Sequence, residues 1–279
     1  MRDLSNDTRL LSLNTATVKV QWDLKEIIDN CVKLGIGGIS PWRDQVEKCG
    51  LQEAAKRIND AGLNVTGLCR GGMFPSATKA GLQANIDDNR RAIDEAKTLN
   101  AECLVLVVGG LPVGSKDIEK TRDQVFDGIS AILDHARNNQ IPLAIEPLHP
   151  MYAADRACVN TLKQALDICD KLGSGIGVAL DVYHVWWDPD LQEQTMRAGR
   201  NNQLLAYHVC DWLVPTRDML TDRGMMGDGI IDLKKIRGWV EEAGYTGSCE
   251  VEIFSAENWW KKDPELVLKT CIERHQTVV

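Results

Sequence analysis

Short apolar runs alternate with longer amphipathic segments along the whole chain. Eight such runs lie at residues 9–14, 35–40, 63–69, 103–108, 141–146, 175–181, 204–210 and 247–254. Runs of this length are typical of parallel strands whose two faces are both buried. The pattern therefore predicts eight buried parallel strands with other elements between them.

The segments between the runs carry helix signals. Asp23 and Glu26 form the pattern of a capping box, and the apolar stripe that follows ends at Gly35. A glycine, which commonly ends a helix, also follows the helices predicted at residues 52–61, 162–172 and 233–243. The last helix is predicted at 264–277. Eight strand–helix units without a linker predict the α/β class and a single (β/α)8 TIM barrel, one domain over residues 1–279.

Charge and cysteine content narrow the class of protein. The net charge of -8 disfavours nucleic acid and anionic membranes as partners, because both are bound by clustered Lys and Arg. The nine cysteines are scattered and show no C-x-x-C pair. The start of the chain is polar, and no apolar run approaches the ~18 residues that span a bilayer. We therefore expect a reduced, cytoplasmic protein.

Metal-compatible side chains lie at the ends of the last four predicted strands. They are Glu146, Asp181, His208 and Glu252. Barrel enzymes place catalytic groups at the C-terminal ends of their strands, and carboxylates and imidazole bind hard or borderline divalent ions. One such acid alone would more often be a helix cap, and one such histidine a hydrogen-bonded core residue. Four on consecutive strands predict a metal site.

The phase of the strands supports this interpretation, because successive residues alternate between the two faces. Three of the four groups share a face with the alanine two residues before them, and these are Ala144, Ala179 and Ala206. Small residues suit the crowded interior of a barrel. In the last strand, Glu250 and Glu252 share a face, so phase alone leaves both open as the ligand. We prefer Glu252 because it lies nearer the C-terminal end.

The loops after the strands supply candidates for a substrate pocket. These are His149 and His184 as proton carriers, with Trp42, Arg156, Trp187 and Arg217 as substrate contacts. Arginine can donate several hydrogen bonds to hydroxyl groups or to a carboxylate, and tryptophan offers an apolar surface with one hydrogen-bond donor. The alternatives are a structural loop histidine, a surface arginine and a packed tryptophan. His135 and His275 fall on helical segments, and we expect both at the surface.

The longest irregular segment, residues 211–231, directly follows the strand of His208. It contains Arg217, Arg223, several glycines and the apolar pair Met225 and Met226, which we expect to be exposed. Loops of this length are usually functional. We expect a lid with glycine hinges or a surface that docks a partner. The alternative is a packed loop that closes the barrel.

Four motifs resemble the xylose isomerase-like barrel superfamily of sugar isomerases and epimerases. They are IEPLHP, LDVYHVWWDP, YHVCDW with the later MMGDGIID, and CEVEIF. The resemblance covers nearly the whole chain and implies that the four strand-end groups bind one Mn²⁺ or Mg²⁺. It also implies that Glu146 and Glu252 carry protons and that His184 faces the substrate. The phrases EPLHPMYAADR, HVWWDP and DRGMMGDGIID look closest to inosose dehydratase-like proteins and to the large subunits of bacterial C-glycoside deglycosidases.

Such a site suits proton abstraction next to a sugar carbonyl. A divalent ion stabilises the negative charge left on oxygen, and a carboxylate or histidine takes the proton. We expect an isomerase or epimerase that acts on a small-molecule sugar or glycoside. The alternative is a lyase, either an inosose dehydratase or a C-glycoside deglycosidase that acts on 3-keto C-glycosides with a small partner subunit. A homo-oligomer is a further expected assembly.

Two other classes are disfavoured. A metal-dependent endonuclease on the same barrel conflicts with the acidic charge and with only five histidines. A barrel that binds sugars without catalysis conflicts with the complete set of four ligands.

Overall fold

The computed structural model describes all residues from 1 to 279, and its main sheet is a parallel barrel. The strands are β1 (Leu11–Asn14), β2 (Gly38–Ser40), β3 (Asn64–Val65), β4 (Leu68–Gly72), β5 (Leu104–Val107), β6 (Leu143–Ile145), β7 (Ile176–Asp181), β8 (Leu204–Val209), β9 (Asp211–Trp212), β10 (Arg223–Gly224) and β11 (Cys249–Val251). Nine of them form one sheet in the order β3-β2-β1-β11-β8-β7-β6-β5-β4, while β9 and β10 form a separate antiparallel hairpin. The predicted α/β barrel is confirmed.

The strand predicted at 63–69 is divided into two short pieces. β3 pairs with β2, whereas β4 pairs with β5. A parallel bridge between Trp42 and Cys69 joins the two sides directly. The two edges of the sheet therefore meet at this divided strand, and eight strand positions surround the interior.

Ten α-helices accompany the strands. They are α1 (Leu24–Leu34), α2 (Arg43–Cys49), α3 (Leu51–Asp60), α4 (Lys79–Thr98), α5 (Ile118–Asn139), α6 (Leu162–Leu172), α7 (Val182–Val185), α8 (Leu191–Arg200), α9 (Leu233–Glu242) and α10 (Pro264–Thr277). The capping box of Asp23 and Glu26 is present, and Gly35 ends α1 with a left-handed φ of 71°. The predicted bounds of α6 and α10 are confirmed; those of α3 differ by one residue at both ends, and those of α9 by one residue at its C-terminal end.

The core has two parts, one on each side of the sheet. The larger apolar cluster fills the space between the strands and the helices. The smaller cluster contains Ala144, Ala179 and Ala206, packed with Cys69, Cys103 and Val105. The alanines that share a face with the metal-compatible residues therefore lie together inside the barrel, as the strand phase predicts.

All nine cysteines are free thiols, and eight of them are buried. Burial raises the pKa of the Cys31 thiol to about 12, and the other buried thiols shift in the same direction. None of the helices is both long enough and apolar enough to cross a membrane.

Two surface predictions are wrong. His275 is fully buried, and its Nε2 donates a hydrogen bond to the carbonyl oxygen of Asp7, 3.1 Å away. Met225 and Met226 are also fully buried and belong to the main apolar cluster. Both errors arise because the segments that cover these side chains are distant in the sequence.

Candidate metal centre and pocket

Four side chains converge inside the barrel at the C-terminal ends of neighbouring strands. Glu146 follows β6, Asp181 ends β7, His208 belongs to β8, and Glu252 follows β11. All four are buried, and one ligand atom from each lies within 4.8 Å of the others. Parallel strands bring their carboxyl ends to the same rim, so four positions that are far apart in the sequence form one cluster.

His208 links this cluster to a further carboxylate. Its Nδ1 lies 3.1 Å from Oε1 of Glu146, and its Nε2 lies 3.5 Å from Oε1 of Glu250. Burial alone lowers the pKa of an imidazole, but the carboxylates of Glu250 and Glu146 outweigh burial and raise the pKa of His208 to about 10. A cation bound at Nδ1 would displace the proton that the carboxylates now attract.

The structure separates Glu250 from Glu252. Glu250 accepts hydrogen bonds from Nδ2 of Asn14 at 2.8 Å and from the hydroxyl of Thr66 at 2.9 Å. It therefore lies one layer deeper in the barrel, while Glu252 belongs to the four-residue cluster. The geometry favours Glu252 as the ligand and places Glu250 behind His208.

Arg223, on β10 in the long loop, also enters the cluster. One nitrogen of its guanidinium donates to Asp181 at 2.9 Å and to Glu252 at 3.0 Å, and the other lies 3.1 Å from Nε2 of His184. Burial raises the pKa of Asp181, but Arg223 outweighs it, and the net shift is downward. The sequence interpretation named Arg223 only as part of the loop and chose Arg217 as the substrate contact.

The charges of the cluster fit a bound dication. The cluster holds three buried carboxylates, with Glu250 as a fourth in the layer below, and Arg223 is the only guanidinium that contacts it; burying unpaired charge is costly. Burial, reinforced by Glu146 and Asp181, raises the pKa of Glu252 to about 8 although Arg223 opposes the shift. Carboxylates with one imidazole are a donor set that divalent ions accept. The residues present therefore fit a divalent metal ion.

His184 and His149 lie beside the cluster in different surroundings. Burial lowers the pKa of His184 to about 3, so its ring is neutral. His149 stacks on the ring of Trp212, with centroids 4.9 Å apart, and burial lowers its pKa as well. Trp187 donates from its indole nitrogen to the carbonyl oxygen of His184 at 2.8 Å. Trp212 therefore packs against the ring of His149, and Trp187 is hydrogen-bonded to the backbone of His184.

A pocket opens above the cluster. It is lined by Trp42, Cys69, Arg70, Val105, Val107, Glu146, Leu148, Tyr152, Arg156, His184, Leu220, Arg223, Glu252 and Phe254. Five of the residues predicted from the sequence for catalysis or substrate binding are among them: Glu146, Glu252, His184, Trp42 and Arg156. His149, Trp187 and Arg217 are not.

The position of Arg217 has a simple cause. Its side chain is half exposed and forms an ion pair with Asp222 five residues further on, so it stays on the outer side of the loop. Arg223 takes the inward position because its strand pairs with β9 directly after the end of β8. No pattern within the loop distinguishes the two arginines; only the hairpin pairing does.

Trp42 forms one wall of the pocket. Its indole nitrogen donates to Oδ1 of Asn14 at 2.8 Å, and its ring packs edge-on against Phe254 with centroids 5.5 Å apart. The indole is thus held in place with an apolar face toward the pocket. A rigid apolar wall suits the less polar face of a sugar ring.

Comparisons with known proteins agree with this architecture. The model of the family described as xylose isomerase-like TIM barrel matches residues 28–271. An inosose isomerase of Bacillus velezensis is 24% identical over 280 residues, which cover 96% of this chain and 96% of that protein. A crystal structure of a Sinorhizobium meliloti 1021 protein is 61% identical, with a TM-score of 0.97 over 98% of this chain and 99% of its own. The crystal structure of the IOLI protein with a zinc atom is 23% identical, with a TM-score of 0.82 over 96% and 97% of the two chains.

Proposed function

Because this chain belongs to the xylose isomerase-like TIM barrel family, we propose that it is a metal-dependent sugar isomerase or epimerase. The proposed reaction removes a proton from the carbon next to a sugar carbonyl. The observation that carries the proposal is that Glu146 and Glu252 belong to the four-residue cluster and also line the pocket. Substrate and metal would therefore meet at the same two carboxylates.

The proposed cofactor is one divalent ion held by Glu146, Asp181, His208 and Glu252. Mn²⁺ and Mg²⁺ are the expected ions, and Zn²⁺, which the IOLI structure contains, is the third candidate. When bound, such an ion acts as a Lewis acid that stabilises negative charge on a substrate oxygen.

The residues of the chain supply the proton chemistry. Glu146 and Glu252 reach the pocket from β6 and β11, which are separated by β7 and β8 in the sheet. Two carboxylates on different sides of a bound sugar can remove a proton from one face and return a proton to the other, which is epimerisation. The neutral His184 and the guanidinium of Arg223 line the pocket beside these carboxylates, and Trp42 and Phe254 line it with apolar surface.

Proton exchange with solvent tests this proposal. The metal-loaded protein is incubated in heavy water with inosose, the sugar in the name of the Bacillus velezensis relative, and with a panel of ketoses. We expect deuterium at a carbon next to the carbonyl of the product, detected by NMR. Glu146→Gln and Glu252→Gln should each slow exchange by ~100-fold or more, the usual contribution of a positioned base.

The control for this experiment is Glu47→Gln, which changes an exposed glutamate on α2 and should leave the exchange rate unchanged. Product that keeps its original hydrogen at every carbon would contradict proton abstraction and indicate a hydride shift. Product that has lost water or an aglycone would show that the abstraction leads to the lyase outcome instead.

A further inference from the structure

Two arginines in the pocket have no acidic partner. Arg70 is on β4, and Arg156 follows the short helix Pro150–Tyr152; both are half-buried and line the pocket. Neither guanidinium forms an ion pair or donates a hydrogen bond. The guanidinium of Arg156 lies over the ring of Tyr152, 5.7 Å from the ring centroid, which is a cation–π contact and leaves its N–H groups unused. Both forks of donors are therefore free for a ligand.

The other arginines around the barrel mouth are paired. Arg223 forms ion pairs with Asp181 and Glu252, and Arg43 with Asp88 and Glu95. Arg70, by contrast, has a lowered pKa, first because burial disfavours its charge and then because the charge of Arg156 repels it. The carboxylate of Glu146 offsets only part of this effect, and neither cation forms an ion pair, so a bound anion would relieve both burial and repulsion.

Arg70 and Arg156 enter the pocket from different elements, Arg70 from β4 and Arg156 from the loop after β6, the strand that Glu146 follows. In the sheet order, β4 is four strand positions from β8, which carries His208, so Arg70 faces the histidine across the barrel. Val105 and Val107 of β5 line the pocket between β4 and β6. The pocket thus has a metal end at the four-residue cluster, an unpaired Arg70 opposite His208, and two valines on the strand between β4 and β6.

We propose that Arg70 and Arg156 bind an oxyanion on the substrate, so that the sugar is a phosphate ester or a sugar acid. This rests on the proposed function, because the anion is assigned to the molecule whose carbonyl reaches the metal end. A guanidinium fork matches the two oxygens of a carboxylate or phosphate. A neutral sugar offers hydroxyls alone and would leave two repelling cations uncompensated.

Binding of three matched polyols tests the proposal without turnover. D-glucitol, D-gluconate and D-glucitol 6-phosphate share a six-carbon chain and lack a ketone to react; relative to D-glucitol, gluconate has a carboxylate at C1 and D-glucitol 6-phosphate has a phosphate at C6. Their dissociation constants are measured by isothermal titration calorimetry on the metal-loaded protein. We expect at least one anion to bind ~10-fold or more tighter than D-glucitol, as one charge-assisted hydrogen bond allows. Tighter gluconate indicates a sugar acid, and tighter phosphate a phosphate ester.

Variants locate the effect. Arg70→Gln and Arg156→Gln should each weaken binding of the preferred anion by ~10-fold or more and leave D-glucitol unchanged. Arg200→Gln is the matched control, because Arg200 is an exposed arginine on α8 that is also unpaired. Circular dichroism checks that each variant is folded. If one variant unfolds, the other variant still tests the proposal, and so does the wild type at high ionic strength, where we expect anion binding to weaken.

Equal affinity for all three polyols, or anion binding that both variants retain, would overturn the proposal. Because none of these polyols can react, such a result would leave the isomerase proposal standing. Conversely, a protein that binds the anion but exchanges no proton with solvent would contradict the proposed reaction and leave the anion site intact.

Discussion

Glu250 and Glu252 show how much a single residue depends on its depth in the barrel. Both point inward from the same strand, as alternation predicts. The side chain of Glu250 is held by Asn14 of the neighbouring strand β1 and by Thr66 between β3 and β4, whereas Glu252 meets Arg223. The sequence predicts the shared face because that follows from local geometry. It does not show which of the two belongs to the four-residue cluster, because the partners that hold Glu250 away from it are more than 180 residues away in the sequence.

The position of Glu250 behind His208 leads to a prediction about metal affinity. A carboxylate that faces the second nitrogen of a ligating histidine orients the ring and increases its basicity. Glu250→Gln keeps the size of the side chain but removes the charge. We expect the dissociation constant for the metal, measured by titration after removal with a chelator, to rise ~10- to 100-fold.

Asp181→Asn serves as the comparison for this variant, because it changes a proposed ligand itself. We expect it to lose most of the metal, measured as metal content per chain, and Glu250→Gln to be intermediate between it and the wild type. Wild-type affinity in Glu250→Gln would show that the ring of His208 is oriented without Glu250.

At the scale of elements, strands and helices followed from local patterns, and the long loop did not. The alternation of apolar runs and the capping signals depend on neighbouring residues, so the predicted elements are close to the observed ones. The sequence predicts a lid or a docking surface for the loop at 211–231, with a packed loop that closes the barrel as the alternative. In the structure, Asp211 accepts hydrogen bonds from the backbone N–H groups of Gly227, Gly229 and Ile231, which favours the packed loop. A Cβ at Gly229 would lie 2.1 Å from the carbonyl oxygen of Trp212, so this glycine permits close packing rather than a hinge.

These bonds give a prediction about the stability of the loop. Asp211→Asn replaces one accepting oxygen by a donor that faces N–H groups, and the remaining bonds lose their charge. Hydrogen bonds to a charged group contribute ~1.5–3 kcal/mol each, so we expect the free energy of unfolding to fall by about 3 kcal/mol in urea titrations. Asp127→Asn, which changes an exposed and unpaired aspartate on α5, is the control. A loss below about 0.5 kcal/mol, the usual size of surface effects, would contradict this role.

At the scale of the molecule, the two ends of the chain are fastened together. Arg237 on α9 donates to the carbonyl oxygens of Val279 and Arg2, both at 2.8 Å, and His275 on α10 donates to that of Asp7. Closure of the barrel was predictable because eight repeated units imply it. The burial of His275 was not, because the segment that covers it lies 268 residues earlier in the sequence.

The buried His275 makes the stability of the whole molecule depend on pH. Burial lowers its pKa to about 4, below the ordinary value of 6.5, and its Nδ1 has no hydrogen-bond partner. The unfolded chain therefore takes up a proton below pH 6.5 while the folded chain does not, so stability that is complete above pH 6.5 is lost progressively as the pH falls toward 4. Between pH 7 and about pH 5, this one group should lower the free energy of unfolding by about 2 kcal/mol.

His275→Gln tests this pH dependence, because glutamine can still donate to Asp7 but cannot titrate. Urea titrations at the two pH values should therefore show a correspondingly smaller loss of stability for the variant. An unchanged loss in His275→Gln would mean that other groups set the acid sensitivity.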